Sequence, residues 1–172
     1  MKKVLDKQFF NRKTLAVARD LLGKYLVRKT GKKIRRYKIT EVEGYVGSHD
    51  LASHSSKGKT ERNEVMFGEA GRFYIYLVYG MYYMLNVVTE KKDYPSAILI
   101  RGVEGLSGPG VITRELKINK KFNGKSASRK TRLWFEDGGK INPRKIKKTP
   151  RIGVHYAGPV WSKKPYRFIL EE

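Results

Sequence analysis

The chain has 172 residues and a formal net charge of +22, because 38 Lys and Arg outnumber 16 Asp and Glu. This length fits one domain over residues 1–172. A hydrophobic content of 40% is enough for a buried core, which excludes a disordered polycation. The absence of cysteine excludes disulfides and cysteine-ligated zinc or iron–sulfur sites. No apolar run matches a signal peptide or a membrane span, so we expect a soluble cytoplasmic protein.

The excess of basic residues is concentrated in the two flanks of the chain. Residues 1–36 contain 13 basic and 2 acidic side chains, residues 112–172 contain 17 and 5, and the central residues 37–111 contain 8 and 9. Because Lys and Arg that neutralise phosphates supply most sequence-independent affinity for nucleic acids, we expect the flanks to bind a nucleic acid. The alternatives are an anionic membrane surface, which would favour an amphipathic basic helix, and a basic surface that serves only solubility.

The first half of the chain contains both helical and strand patterns. Leu15, Ala18 and Leu22 recur at helical spacing on one face, and the next runs are rich in residues that favour strands. The predicted elements are, in order, a helix over 12–22 capped by Asn11 and ended by Gly23, strands over 24–30 and 34–45, and a short helix that follows Thr60 and stops at Gly68.

The second half of the chain is dominated by strand patterns. Residues 117–148 carry 12 basic and 2 acidic side chains with little apolar periodicity, which predicts a basic loop that is either mobile or ordered by phosphate. Together with the first half, the pattern indicates a single-domain α+β fold with a curved, mostly antiparallel sheet, short helices and a protruding β-hairpin. The predicted elements are strands over 73–79 and 82–88 around Gly80-Met81, a strand over 96–103, a helix over 111–116, and strands over 151–156 and 166–170.

Glu41 and Glu43 are two carboxylates on one predicted strand. Alternation of side chains places both glutamates on the face that carries Ile39 and Tyr45. A carboxylate buried among such residues has a raised pKa and is a candidate general base. The alternative is that the opposite face, which carries Val42, forms the core and that both glutamates are solvated.

The predicted hairpin is rich in tyrosine, since residues 73–83 hold five of the eleven in the chain. Tyr79 lies at the tip beside Gly80-Met81, where an apolar wedge could enter a minor groove and replace a displaced base in the stack. The alternative is a tip that packs on a neighbouring loop. One face of the first strand is predicted to belong to the core and carries Phe73, Ile75 and Leu77.

Short motifs in a fixed order cover nearly the whole chain. They are Ile39-Thr-Glu-Val-Glu-Gly-Tyr-Val-Gly47, Asp50-Leu-Ala-Ser-His54, Met66-Phe-Gly, Tyr74-Ile-Tyr-Leu-Val-Tyr-Gly-Met81, Leu85-Asn86, Ile98-Leu-Ile-Arg101, Ser107-Gly-Pro-Gly110, Pro150-Arg-Ile-Gly-Val154, Ala157-Gly158 and Pro165-Tyr-Arg-Phe168. In this order the motifs resemble the alkyladenine (3-methyladenine) DNA glycosylase family. Several linked motifs are far more specific than any one of them.

The resemblance implies a catalytic group on the acidic strand. Glu43 matches the family's general base, which would deprotonate a water that attacks the anomeric carbon of the sugar; Glu41 is the second choice. Arg101 and the backbone carbonyl of Ile152 match groups that help to hold that water. Gly44 departs from the family, which usually has alanine there, and this change could loosen the strand that carries Glu43.

The resemblance also implies a pocket for a flipped base and a wedge. Asn86 matches a pocket residue whose side chain would clash with the exocyclic amino group of guanine. Tyr79 matches the residue that is intercalated where the base left, and Met81 matches a hairpin-tip residue that contacts the minor groove. The aromatic walls around the flipped base match Tyr45, His54 and Tyr76.

We therefore predict a monofunctional DNA glycosylase that flips alkylated or deaminated purines, of the 3-methyladenine, 7-methylguanine and hypoxanthine class, and hydrolyses the N-glycosidic bond to leave an abasic site. The alternative is a non-catalytic basic nucleic-acid-binding module. The expected partner is double-stranded DNA with a damaged purine, bound by a monomer that needs no cofactor, metal, membrane or obligate protein partner. Such a protein would be nucleoid-associated when bound to DNA, or nuclear in a eukaryote. Basic residues expected to contact phosphate are Lys145, Lys147 and Lys148.

Overall fold

Nine β-strands form one antiparallel sheet in the computed structural model, which describes residues 1–172. The strands are β1 (Tyr25–Thr30), β2 (Lys33–Val46), β3 (Phe73–Val78), β4 (Tyr82–Val88), β5 (Ser96–Val103), β6 (Leu106–Ser107), β7 (Leu133–Glu136), β8 (Ile146–Thr149) and β9 (Arg167–Leu170). The main path of hydrogen-bonded neighbours is β3-β4-β5-β2-β1-β7, while β6 pairs with β5 and β9 joins β2 to β8. The α+β class with a curved antiparallel sheet and short helices, predicted from the sequence, is confirmed.

The helices are short, and none is long and apolar enough to cross a membrane. They are α1 (Lys7–Phe10), α2 (Thr14–Leu21), α3 (Pro109–Glu115) and α4 (Gly158–Trp161). The predicted helix over 12–22 is shorter than expected, because the non-helical backbone of Lys13 and the extended backbone of Leu22 bound it as Thr14–Leu21. A separate short helix precedes it, because the Asp6 carboxylate accepts the backbone N–H groups of Gln8 and Phe9 and caps α1. Asn11 therefore ends α1 instead of capping α2. The helix expected before Gly68 is a single 3-10 turn, Glu64–Phe67.

The main core lies between the helices and the sheet. Three buried rings link its parts: the Phe135 ring of β7 lies 5.3 Å from that of Phe10 and 6.0 Å from that of Phe73. Phe73 and Ile75 are buried, as the alternation of β3 predicts, but the prediction for Leu77 is wrong, because its side chain is 39% exposed. β5 pairs with β4 only over 86–88, so the β3–β4 hairpin extends beyond the sheet at Leu77.

The acidic strand does not alternate regularly. The pairing of β2 with β5 shifts register on both sides of Glu41, which is the signature of a β-bulge. As a result Ile39 and Val42, which strict alternation assigns to opposite faces, both belong to the main core. Glu43 follows Val42 and so faces the other side of the sheet, where it too is completely buried. The alternative in which both glutamates are solvated is therefore wrong.

Two segments late in the chain differ from their predicted structure. The basic segment 117–148 is not entirely a loop, because Leu133–Glu136 forms β7, pairs with β1 and is buried at all four positions. Four residues are too few to give a clear apolar period among so many lysines and arginines. The strand predicted over 151–156 is also wrong: Gly153 has a φ of +73°, and a 3-10 turn follows at His155–Ala157.

Candidate active site

Glu43 occupies the centre of the candidate site, and its side chain has no solvent exposure. Arg101 on β5 donates from Nη1 to Glu43 Oε1 at 3.1 Å. The backbone N–H of Ile152 donates to the other carboxylate oxygen, Oε2, at 2.8 Å. The structure thus brings together the three residues that the sequence assigned to catalysis. Ile152 reaches Glu43 through its N–H, and a role for its carbonyl stays a prediction.

A second carboxylate shares the same arginine. Glu41 Oε1 lies 3.4 Å from Arg101 Nε and accepts a hydrogen bond of 2.6 Å from Arg167 Nε on β9. Arg167 also donates to Thr149 Oγ1 at 3.3 Å. Glu41 therefore has Arg167 as a partner of its own, and Arg101 divides its charge between the two carboxylates.

The surroundings of Glu43 have opposing effects on its ionised and protonated forms. Burial raises the pKa of Glu43 above its ordinary value, and the nearby charge of Arg101 and the Ile152 N–H oppose that rise. The Glu43 charge in turn contributes to raising the pKa of Tyr45 and Tyr76, behind the larger effect of their burial. Glu43 precedes Tyr45 by two residues on β2, and Leu99 of β5 pairs with both Glu43 and Asn86, so the carboxylate lies beside the aromatic cavity described below.

One cavity collects the four predicted pocket residues from four different parts of the chain. Tyr45 comes from β2, His54 from a 3-10 turn (His54–Lys57), Tyr76 from β3 and Asn86 from β4. The His54 and Tyr76 rings lie 4.5 Å apart at 66°, and Tyr74 lies 5.3 Å from Tyr76. The other lining residues are Ala52, Ser53, Met66, Tyr74, Ala97 and Tyr156.

The pKa shifts of the titratable groups in the aromatic cavity favour their neutral forms. Burial lowers the pKa of His54, with a further contribution from Arg62, and burial raises the pKa of Tyr74 to about 12. His54 Nδ1 and the Tyr74 hydroxyl share a hydrogen bond of 3.0 Å, which fixes the orientation of the imidazole. A cationic ring that entered the cavity would therefore meet electron-rich faces without a competing positive charge on the histidine.

Asn86 is buried, and its orientation is fixed by the backbone. Its Nδ2 donates to the carbonyl of Tyr74 at 3.2 Å and to that of Met84 at 3.5 Å. Because these bonds hold the amide hydrogens on the main chain, the side chain cannot turn freely to accommodate a new group. Asn86 is therefore a rigid part of the cavity wall.

The hairpin tip is solvent-exposed and conformationally strained. Tyr79 and Gly80 both have positive φ, at 53° and 66°, as tight hairpin turns require. For tyrosine this left-handed conformation costs about 1–2 kcal/mol, and such strain concentrates at functional positions. The Tyr79 side chain is 87% exposed and that of Met81 is 64% exposed. The alternative in which the tip packs on a neighbouring loop is therefore wrong for Tyr79.

The three lysines that the sequence assigned to phosphate contacts do not lie in a loop. Lys145 ends a 3-10 turn, Pro143–Lys145, and Lys147 and Lys148 lie on β8. All three are exposed, and none is in a salt bridge. Their role in binding phosphate stays a prediction.

Sequence reasoning missed two aromatic residues of the cavity. Tyr74 shares a predicted strand face with Tyr76, so alternation alone could have found it. Tyr156, whose hydroxyl donates to the Ala52 carbonyl at 2.7 Å, was hidden by the incorrect strand prediction over 151–156. No group of three or more His, Cys, Asp or Glu side chains is arranged to hold a metal ion.

Comparison with known proteins adds independent information on the chain. A protein-family model described as methylpurine-DNA glycosylase matches residues 8–108 and 105–172. A Legionella pneumophila (strain Corby) protein is 44% identical over 175 residues, covering 98% of this chain and 94% of its own length. A Methanocella arvoryzae protein is 43% identical over 185 residues, covering 96% and 91%, and a Myxococcus xanthus protein is 40% identical over 177 residues, covering 98% and 90%. All three relatives are named "Putative 3-methyladenine DNA glycosylase".

Proposed function

The chain belongs to the methylpurine-DNA glycosylase family, and from this premise we propose that it releases alkylated or deaminated purines from double-stranded DNA by hydrolysing the N-glycosidic bond. The observation that carries the proposal is the completely buried Glu43, held by Arg101 and the Ile152 N–H beside an aromatic cavity. A protein that only bound DNA would have no need for a buried carboxylate whose pKa is raised because its burial is incompletely compensated, since burying a charge costs free energy.

In the proposed reaction Glu43 acts as general base on one water molecule. The carboxylate accepts a proton from the water as its oxygen bonds to the anomeric carbon. The bond from that carbon to the purine nitrogen breaks, and its electron pair leaves with the base. The same negative charge would stabilise the oxocarbenium-like transition state, as carboxylates do in glycoside hydrolysis. General base catalysis typically contributes about 10²–10⁴-fold to a rate.

Recognition of the damaged base is assigned to the aromatic cavity. An alkylated purine that carries positive charge would be attracted to the faces of Tyr45 and Tyr76 by roughly 0.5–2 kcal/mol. Neutral His54 supports this preference, because an imidazolium would repel the same ligand. The fixed Asn86 amide would crowd the exocyclic amino group of guanine, so it disfavours purines that carry this group, undamaged guanine most of all and 7-methylguanine to the extent that its positive charge does not compensate.

Extrusion of the base is assigned to the hairpin tip. A base that leaves the duplex loses its stacking, and an exposed tyrosine ring can take its place in the stack. Tyr79 stands at the tip in a strained conformation, with Met81 beside it to contact the minor groove.

A lesion-panel assay tests the proposal. Duplexes that each carry one hypoxanthine, 7-methylguanine or 3-methyladenine are incubated with the protein at two salt concentrations, and released base and alkali-labile sites are measured. We expect free base and an intact strand with an abasic site from at least one lesion, and no release from undamaged duplex. Binding to every duplex without release of any purine would refute the enzyme and favour a non-catalytic DNA-binding module.

A further inference from the structure

Asp50 and Arg151 form a buried ion pair beside the candidate site, and the reaction proposed above gives neither residue a role. Both side chains have no solvent exposure. The pair is bidentate, with Arg151 Nη1 2.5 Å from Asp50 Oδ2 and Arg151 Nη2 2.9 Å from Asp50 Oδ1. The two residues are 101 positions apart in the chain, so the pair joins segments that no local pattern connects.

Asp50 organises the chain that runs from β2 to the pocket histidine. Its Oδ2 accepts the backbone N–H of Val46 and its Oδ1 accepts that of Ala52, both at 3.0 Å. These bonds define the turn between Tyr45, at the end of β2, and His54. The carboxylate is therefore bound on both oxygens by backbone N–H groups as well as by Arg151.

Arg151, the other member of the ion pair, contacts the end of β2. Its Nη1 donates to the carbonyl of Gly44 at 2.9 Å, and its guanidinium carbon lies 4.7 Å from the centre of the Tyr45 ring. The same guanidinium carbon also lies 5.1 Å from the centre of the Tyr166 ring. The residue that follows Arg151 is Ile152, whose N–H donates to Glu43.

A buried ion pair is weak evidence for stability, because desolvation of two charges can cancel their attraction. The Asp50–Arg151 pair is better explained by what it fixes. Arg151 holds Gly44 and Tyr45 on either side of one peptide bond and sets the backbone position of Ile152. One guanidinium thus contacts the strand of the proposed base and a wall of the base pocket, and its residue directly precedes Ile152, which donates to the base.

We propose that the Asp50–Arg151 pair positions the reaction centre, holding the Ile152 N–H on Glu43 and the Tyr45 ring in the wall of the base pocket. Asp50 and Arg151 act through these other residues and are positioning residues. The inference rests on the proposed glycosylase function. Misplacement of a reacting group by a distant change typically slows a reaction by about 10²-fold, which sets the scale of the effect.

The pH dependence of the reaction separates positioning from simple structural support. Glu43 must be ionised to act as a base, so the rate falls as the pH drops through its pKa. If the Ile152 N–H moves away, the ionised form loses a hydrogen bond, and the acid limb of the rate profile moves to higher pH. The charged or titratable groups that influence Glu43, or that its charge influences, are Arg101, Arg151, Tyr45, Tyr76 and Tyr156.

The experiment uses Asp50→Asn and Arg151→Lys in the full chain. Arg151→Lys keeps the positive charge but cannot form the planar two-pronged pair. Asp50→Asn removes a negative charge, which by charge alone would move the acid limb to lower pH. Glu136→Gln is the matched control, because Glu136 is another completely buried carboxylate in a salt bridge, with Arg36 of β2.

Single-turnover release of hypoxanthine or 7-methylguanine is measured from pH 4.5 to 9, with Tm and the affinity for abasic-site duplex as controls. We expect both variants to lose about 10- to 100-fold in rate, to show an acid limb at higher pH, and to bind abasic-site duplex normally. Glu136→Gln should keep the wild-type rate and limb. If a variant is unfolded at the assay temperature, the assay is repeated for all proteins at a temperature well below the Tm of that variant.

Wild-type rates and limbs in both folded variants would overturn the positioning role while leaving the glycosylase function intact. Failure of both variants to fold at any temperature would also overturn it, because the pair would then be a structural element. If the wild-type protein releases no purine from any lesion, the proposed function itself fails, and that result is separate from either outcome above.

Discussion

Glu43 and Glu136 are two completely buried carboxylates on one sheet, and each is paired with an arginine. Their surroundings differ. The Glu136 carboxylate accepts hydrogen bonds from two nitrogens of Arg36 and from Trp134 Nε1–H. A nitrogen of Arg129 lies 3.7 Å from the same carboxylate. Those arginines are 38% and 44% exposed, so they cover Glu136 near the surface, whereas the Arg101 side chain beside Glu43 is only 15% exposed.

The two pKa values shift in opposite directions for this reason. Burial acts to raise the pKa of Glu136, but hydrogen bonds from Arg36 and Trp134 outweigh it and the pKa is lowered. Burial dominates at Glu43, where Arg101 is shared with Glu41, and the pKa is raised. When hydrogen bonds and opposite charges fully compensate the burial of a carboxylate, that carboxylate contributes to stability. When they do not, its pKa is raised and it is a candidate for catalysis.

Removing each carboxylate charge should separate the two roles by the largest margin. Glu43→Gln has nearly the same shape but cannot accept the proton of the attacking water. We expect its single-turnover rate to fall by about 10²–10⁴-fold, with affinity for lesion duplex retained. Glu136→Gln should release the base at the wild-type rate, as measured under saturating enzyme.

Two results would contradict this assignment. A Glu43→Gln protein that turns over at the wild-type rate would mean that Glu43 is not the base, and Glu41→Gln would be tested next. An equal loss in Glu136→Gln would mean that any buried carboxylate supports activity through folding alone.

The effects of the two substitutions on the free energy of unfolding should be the reverse of their effects on the rate. Loss of charge-assisted hydrogen bonds at Glu136 is expected to destabilise the protein by about 1–3 kcal/mol, which lowers Tm by roughly 2–4 °C per kcal/mol at this chain length. Glu43→Gln should be neutral or stabilising, because Arg101 keeps Glu41 as a partner and an under-compensated buried charge is removed.

The pH dependence of Tm checks the sign of both contributions. The stabilisation by Glu136 is present above its unfolded pKa and is lost as the pH falls through its lowered folded pKa. The contribution of Glu43 is most favourable below its unfolded pKa and is lost as the pH rises through its raised folded pKa. Parallel Tm curves for the two variants would show that their environments do not differ.

The hairpin beside Glu43 extends the comparison to recognition. Tyr79→Ala removes an exposed ring that would stack in the duplex, and base–aromatic stacking contributes about 1–3 kcal/mol. We expect the ratio of affinities for lesion and undamaged duplex to fall by roughly 5- to 150-fold. Tyr82→Ala is the matched control, because that ring packs on Gly110. Unchanged discrimination in Tyr79→Ala would refute the wedge.

Local patterns in the sequence predicted much of this end of the molecule. The 96–103 strand has its predicted bounds, and alternation on β2 marked Glu41 and Glu43 as candidate bases. The resemblance then supplied the four pocket residues that the structure places in one cavity: Tyr45, His54, Tyr76 and Asn86.

Features that depend on contacts between distant segments could not be predicted. The bulge at Glu41 arises from the register of β2 against β5, and no property of β2 alone specifies that register. The Asp50–Arg151 pair joins two motifs that were recognised separately but not as partners. β7 is a four-residue strand whose burial depends on pairing with β1, so its basic surroundings concealed it.

The smallest expected effect concerns the exposed lysines of β8. Lys147 and Lys148 lie on a strand that pairs with β9, which pairs in turn with β2 at 41–43. Two strand spacings place β8 about 10 Å from the strand that carries Glu43, a distance at which a DNA backbone phosphate beside the site can be reached. Contacts with phosphate hold the duplex without distinguishing a lesion.

Replacement of Lys145, Lys147 and Lys148 by alanine should therefore weaken lesion and undamaged duplex equally. The slope of log affinity against log salt should become shallower by about 1 for each phosphate that the protein no longer neutralises. The control replaces Lys29, Lys32 and Lys33, which surround the turn between β1 and β2 at the opposite end of β2 from Glu43, and removes the same charge. If both triple variants lower the slope equally, only net charge matters. If the first variant leaves the slope unchanged, β8 lies outside the DNA-binding surface, and other basic residues of the two flanks must contact the phosphates.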